Sequence, residues 1–280
     1  MKTRIISSLI GVLIMVAVLL GFYLPFVVEI VVMLLSGLAV YELLNETKIA
    51  SDPFLVVPGI LLAFWTPFSF HFDLGVAILP PAIILFYLFL VLLKKHDTVH
   101  FNQVATTFFA PLMISLCFSS LLIFRDRVQP HGIYYVLAAL GGAWFSDIGA
   151  YFIGCKFGKH KLAPKISPKK SVEGFVGGIV TAVLGMVLLS FVYSLIYNSL
   201  FAGDTKVQVN YLWIILVSLV LAPLGVFGDL SASVVKRQTG IKDFGWIMPG
   251  HGGILDRFDS ALWTMSALAI FLLQGGHLLS

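Results

Sequence analysis

The feature that most constrains this chain is a succession of apolar runs, each about as long as a hydrocarbon core is thick, along nearly all of its 280 residues. A helix needs roughly 20 residues to cross such a core. The runs fall at about 5–24, 26–44, 54–71, 75–93, 104–124, 132–153, 174–198, 211–229 and 258–276. They are continuous rather than alternating, and only helices and closed barrels satisfy their backbone in lipid, so helices are expected. Hydrophobic residues make up 59% of the chain and charged residues 11%, too little charge to cover a soluble domain of this size. The expected fold class is therefore all-α, a polytopic transmembrane helical protein of about nine spans. No polar module is left over to hold a duplex, so nucleic acid is not an expected partner.

Orientation follows from the basic residues. With the N-terminus cytoplasmic, the inner loops hold Lys2, Arg4, Lys48, Lys94, Lys95, Lys156, Lys159, Lys161, Lys165, Lys169, Lys170, Lys236, Arg237, Lys242 and Arg257. The outer loops hold only Arg125, Arg127 and Lys206. That asymmetry satisfies the positive-inside rule. Met1–Arg4 and the run behind them read as a retained first span, because no small-residue cleavage site precedes Pro25. Cys117 and Cys155 support neither a disulfide framework nor a zinc site.

Two inner loops stand out. Residues 154–173 carry six lysines, and residues 230–257 are dense in glycine and polar groups. Residues 1–130 are expected to form a lipid-facing scaffold, and residues 131–280 to carry the chemistry. Ionisable groups inside spans are costly and usually face a partner or a water-filled cavity. Asp147 falls near the inner end of the sixth run and Asp229 near that of the eighth, while Asp256 and Asp259 open the ninth at i, i+3 on one helical face. Four carboxylates at one membrane depth suit a hard divalent cation with phosphate ligands. For Asp259 alone, a favourable place at a helix start is as good an explanation.

The basic side matches. Lys169 and Lys170 precede the seventh run, with Ser171 as its N-cap, which places lysines beside free helix-terminal N–H groups where an anion can bind. Lys156, Lys159 and Lys161 read as membrane-surface anchors instead. His251 sits in a glycine turn and is a candidate for proton transfer or phosphate binding. The other histidines (His71, His96, His100, His131, His160 and His277) lack metal-ligand spacing, and the tryptophans, Trp246 included, fit an interfacial belt. No Walker-type loop and no G-x-S-x-G occurs, which argues against a P-loop ATPase and a serine hydrolase. The residues alone reach phosphate and divalent-metal chemistry at the inner membrane face, and leave the substrate open.

The run from Ser231 to Asp259 resembles the signature of the phosphatidate cytidylyltransferase (CDP-diacylglycerol synthase) family, S-x-x-x-K-R-x4-K-D, a short spacer, then H-G-G-x-x-D-R-x-D. Ser233, Lys236, Arg237, Lys242, Asp243, His251, Gly252, Gly253, Asp256, Arg257 and Asp259 fall into place, Ser233 lying two residues nearer the Lys-Arg pair than Ser231. Upstream, Asp147, Gly149, Ala150, Tyr151 and Gly154, and the stretch Ser167 to Gly174, also look like that family. The likeness is strong over about 140–275; residues 1–130 agree only in span count and hydrophobicity.

The resemblance implies that CTP and phosphatidic acid react to give CDP-diacylglycerol and pyrophosphate at a bilayer, in the bacterial inner membrane with the active site facing the cytoplasm, and a homodimer is compatible with it. It implies Mg²⁺ on Asp229 and Asp256, with K⁺ as the accompanying monovalent cation. Asp229, Asp256, Lys236, Arg237, His251 and Asp259 are then the catalytic candidates. Asp147, Ser167, Lys169, Lys170, Ser171, Ser233, Lys242, Asp243, Gly252, Gly253 and Arg257 are the substrate-binding candidates. The competing readings are a CTP-dependent lipid-alcohol kinase and an ion or lipid-phosphate transporter. The lysine asymmetry makes the topology testable: in a protein lacking Cys117 and Cys155, single cysteines at Thr239 and Asp204 are expected to react with an impermeant thiol reagent from opposite sides. Labelling of both from outside would overturn the orientation.

Overall fold

The computed structural model describes residues 2–201, 206–250 and 252–279; Asp204 and His251 lie outside them. Nine α-helices occur among the described residues: α1 (Lys2–Leu20), α2 (Val27–Tyr41), α3 (Pro53–Phe68), α4 (Leu74–Lys94), α5 (Phe101–Arg127), α6 (Gly132–Phe157), α7 (Val172–Leu200), α8 (Tyr211–Gln238) and α9 (Ile254–Leu273). Seven helical stretches among these residues are long and apolar enough to cross a membrane. The protein is an all-α polytopic membrane protein, and its only sheet among the described residues is a short hairpin of β1 (Lys161–Ala163) and β2 (Ser167–Ser171).

The helices group into two compact units. The first comprises residues 1–122 with 235–258, and the second residues 123–234 with 259–280. In the first unit α2 packs along α3, and α2 ends in a π-helical turn, Glu42–Glu46. Asp52 caps α3 by accepting from the Phe54 N–H at 3.0 Å, ahead of Pro53 in the first turn where a missing N–H costs nothing. Lys95 reaches Asp52 at 2.7 Å from the end of α4 and holds its carboxyl below the usual carboxylate range.

In the second unit the dominant contact is α6 against α7. Without a hydrophobic drive between helices in lipid, close approach of small residues does this work. At Gly178 an added Cβ would lie 2.7 Å from the Ser146 carbonyl oxygen, closer than a methyl can come. Buried polar groups bind this unit further: the Tyr134 hydroxyl meets Ser190 Oγ at 2.8 Å, and Thr264 Oγ1 donates to the Ala139 carbonyl at 2.8 Å. The tail is tied in as well, since the Leu278 N–H donates to the Tyr135 hydroxyl at 2.9 Å.

The two long polar loops are shorter than the sequence led one to expect. α8 runs on to Gln238 because Ser231–Gln238 contains no helix breaker before Gly240, and α9 starts at Ile254, so the stretch between these helices is 239–253 rather than 230–257, irregular in its described residues. Residues 154–173 likewise hold the last turn of α6 and the hairpin. Trp246 lies within the irregular stretch, not at the end of a helix. Gly178→Val is expected to destabilise the α6–α7 pair by ~1–3 kcal/mol through overpacking. A lower midpoint of thermal unfolding in detergent micelles, at unchanged helix content, is the reading to look for.

Candidate active site

Two carboxylate–lysine clusters stand out, one in each unit. In the second unit, Asp229 on α8 faces Lys170 on β2, with Nζ and Oδ2 2.5 Å apart. The contact is off hydrogen-bond alignment and the Lys170 Nζ is buried without a directed partner, so charge attraction alone holds the pair. Ser233, one turn along α8, donates to Asp229 Oδ1 over a long 3.5 Å. Asp147 on α6 lies within electrostatic reach of both Lys170 and Asp229.

The hairpin delivers Lys170. Glu173, in the first turn of α7, accepts from the backbone N–H groups of Lys159 at 3.0 Å and His160 at 3.2 Å and pairs with the His160 ring at 2.6 Å. Along β2, Pro168 and Lys169 are exposed while Lys170 and Ser171 turn inward, with Ser167 half-buried at the other end. Ser171 is the N-cap of α7, as its position suggested, accepting from the Gly174 N–H at 3.1 Å. That bond, and the one from the Val172 N–H to the His160 carbonyl at 2.9 Å, use N–H groups that the sequence reading left free for an anion. Anion binding at this helix start therefore rests on the lysines.

In the first unit the Asp256 side chain is only 3% exposed and its charge is fully answered. Lys236 Nζ donates to Oδ1 at 2.9 Å, while Oδ2 accepts from the Phe244 N–H at 2.7 Å and the Gly253 N–H at 3.0 Å. Lys236 also lies 5.2 Å from the centre of the Phe244 ring. The next two N–H groups of α9, those of Ile254 and Leu255, each donate at 2.9 Å to the buried carboxylate of Glu42. Glycine is required at 253, because a Cβ there would overlap the Glu42 carboxyl, and Gly252 turns the chain at φ 89°. Beside this cluster opens a cavity of about 720 Å³ lined by Lys242, Asp243, Gly245, Trp246, Met248, Pro249, Gly250, Gly252 and Arg257. Its lining joins two cations, one carboxylate, an aromatic face and exposed backbone, the complement that a nucleoside phosphate would need.

A sequence model described as the Cytidylyltransferase family matches residues 2–274. A Bacillus subtilis (strain 168) protein named phosphatidate cytidylyltransferase is 35% identical over 277 residues, 97% of each chain. A Staphylococcus aureus (strain COL) protein of the same name is 33% identical over 285 residues, covering 98% of this chain and all of its own. A Staphylococcus epidermidis relative (strain ATCC 35984) of that name is 33% identical over 278 residues. The chain belongs to the cytidylyltransferase family. The match runs through the N-terminal helices too, well beyond the signature region.

Within this cytidylyltransferase, the candidate residues fall out unevenly. Lys170, Asp229, Ser233 and Asp147 gather in one unit, and Lys236, Asp256 and Gly253 in the other. Lys242, Asp243, Gly252 and Arg257 line the cavity, while Arg237 is exposed on α8. Asp259 lies in the second turn of α9 rather than at its start, and accepts from the neighbouring Ser260 N–H at 2.7 Å. His251 lies outside the described residues. Among the described residues, no group of three or more His, Cys, Asp or Glu side chains is arranged to hold a metal ion. Two of the four expected carboxylates meet a lysine within their own unit, Asp229 with Lys170 and Asp256 with Lys236, as a buried charge requires. The donor chemistry nonetheless fits Mg²⁺, which takes hard oxygens from one or two carboxylates and completes its shell with phosphate and water. Of the two, Asp229 is the more accessible, with its side chain 29% exposed against 3% for Asp256.

Glu42 is the residue that sequence reasoning missed. The signal was there, a carboxylate inside an apolar run, but at the end of that run it merges with the polar Asn45-Glu46-Thr47-Lys48 and reads as the start of a loop. The burial difference between the two pairs sets an order of effects. Removing one partner of a buried pair costs ~3–5 kcal/mol, whereas a solvated charge contributes ~0–1 kcal/mol. Thermal midpoints are expected to fall most for Lys236→Ala, less for Lys170→Ala and hardly at all for Lys161→Ala, with turnover following the same order. Equal, small effects at all three would reduce the lysines to surface anchors.

Proposed function

We propose that this enzyme is a phosphatidate cytidylyltransferase, which transfers CMP from CTP to the phosphate of phosphatidic acid. The observation that carries the reading is the pair of lysine-held aspartates, Asp229 and Asp256, borne by the signature segment of a membrane-embedded cytidylyltransferase. The name shared by its relatives supports the lipid substrate. A membrane-embedded chain gives a two-tailed lipid access to such residues without leaving the bilayer.

The chemistry balances without a covalent enzyme intermediate. A phosphate oxygen of phosphatidic acid bonds to the α-phosphorus of CTP, the bond from that phosphorus to the bridging oxygen breaks, and pyrophosphate departs. Lys170 and Lys236, with Lys169, Arg237 and Arg257, supply the positive charge that holds the two anionic reactants and meets the charge growing on the leaving oxygen. Lysine and arginine serve differently here, as point charges and as planar forks. Asp229 and Asp256 would hold Mg²⁺, with K⁺ as the accompanying monovalent ion. When bound, Mg²⁺ supplies Lewis-acid polarisation of phosphoryl oxygens. Asp147 and Asp259 orient substrate or neighbouring groups, and His251 is kept as a candidate for a hydrogen bond to phosphate. Ser167, Ser171 and Ser233 set the backbone and carboxylates around these charges. The remaining parts of the reading are the inner-membrane location, the active site on the cytoplasmic side with the N-terminus, residues 1–130 as scaffold, and assembly as a homodimer.

The test turns on which phosphorus reaches the lipid. With purified protein, phosphatidic acid and Mg²⁺, label at the α position of CTP is expected in the organic phase and label at the γ position in water as pyrophosphate. Chelation by EDTA is expected to stop both. Transfer of γ label into lipid, with α label left behind in CDP, would replace this reading with a lipid kinase.

A further inference from the structure

The two ends of the cavity-lining segment are held by two carboxylates, and only one of them belongs to the signature motif. Asp256 takes the N–H groups of Phe244 and Gly253. Glu42, more than 200 residues earlier and fully buried at 0% exposure, takes those of Ile254 and Leu255. Helix starts leave about four N–H groups without partners, and here Glu42 answers two of them with a negative charge at the positive end of the α9 dipole. Packing repeats the arrangement: a Cβ at Gly245 would lie 2.6 Å from Glu42 Oε1, and one at Gly253 would overlap the same carboxyl. Both arms of the segment that lines the cavity therefore close on this side chain. Glu42 opens the π-helical turn Glu42–Glu46 that ends α2, a widened turn of a kind that recurs at functional sites.

Resting on the nucleotidyl-transfer reading above, we infer that Glu42 is a positioning residue of the active site: by fixing the first turn of α9 it sets the direction of Asp256 and the shape of the cavity lined by Lys242, Asp243, Gly245, Trp246, Gly252 and Arg257. It touches neither substrate nor metal and acts through backbone. The N-terminal helices are thereby part of the catalytic apparatus rather than only its lipid-facing scaffold. A carboxylate is needed because both of its oxygens accept; an amide at this place offers one acceptor and turns a donor toward the second N–H.

The experiment uses the full chain in detergent with phosphatidic acid micelles and compares Glu42→Gln with the wild type and with Asn45→Ala, a change in the same π-turn outside the clamp. Backbone hydrogen exchange and turnover are measured on each. Glu42→Gln is expected to quicken exchange at 253–256 while α6 and α7 keep their protection, and to lower kcat about 10- to 100-fold, the scale of a small misplacement of reacting groups, with KM for phosphatidic acid nearly unchanged. Asn45→Ala is expected to match the wild type in both. Faster exchange with turnover kept within about twofold would make Glu42 a structural cap and overturn the inference, as would unchanged exchange. If Glu42→Gln does not fold, Glu42→Asp, which keeps the charge but withdraws it by one methylene, is read in the same way. A wild type that moves no α label from CTP into lipid overturns the substrate reading itself, and the exchange at 253–256 then decides the capping role alone.

Discussion

The start of α9 is where the cost of putting charge into a membrane protein is settled, and the signature region depends on how it is done. An isolated carboxylate in low dielectric is prohibitive, so a buried one survives only with its charge and its lone pairs answered. Asp256 meets that demand with one lysine and two backbone N–H groups, and Glu42 with two further N–H groups. The donors in turn need these acceptors, because an unsatisfied backbone N–H away from water costs as much as a lost hydrogen bond. The result is a closed account of charges and donors in which each member constrains the others. The described residues of 239–253 are thereby held with no helix and only the isolated bridge between Met248 and Gly252.

The second cluster is built on looser terms. The Lys170–Asp229 pair is more exposed on the aspartate side and lacks a directed hydrogen bond. Its geometry rests on the Glu173 clasp on the hairpin and on α6 lying close to α7. A pair held by attraction alone is easily exchanged for other charged partners, whereas a saturated one is not. The difference leaves the Asp229 side chain the more accessible of the two, 29% exposed against 3% for Asp256. Glycine makes both arrangements possible, by letting α6 and α7 approach at Gly178 and by leaving room for Glu42 at Gly253.

Much of this was open to reading from the chain. The apolar runs determined that the protein is helical and embedded in lipid, because lipid offers the backbone no other partner. The spacing of Lys236, Arg237, Asp256 and the glycines determined the family, and the cap at Ser171 followed from its place before an apolar run. Helix ends were less legible: Ser231–Gln238 is polar enough to look like loop and yet breaks no helix rule. The three- and five-residue strands of the hairpin were invisible because Glu173, not strand propensity, holds their start.

Which charge meets which was decided by tertiary structure alone. Periodicity places Asp229, Asp256 and Asp259 on helix faces, but it does not say that Lys170 goes to the first, Lys236 to the second and a neighbouring backbone N–H to the third. Nor does it say that a glutamate from α2 caps α9. Local sequence sets the period of a helix and the residues that end it, since those depend on neighbours a few positions away. Pairing across hundreds of residues depends on which buried groups are left without partners once the helices pack, and that is a property of the folded chain.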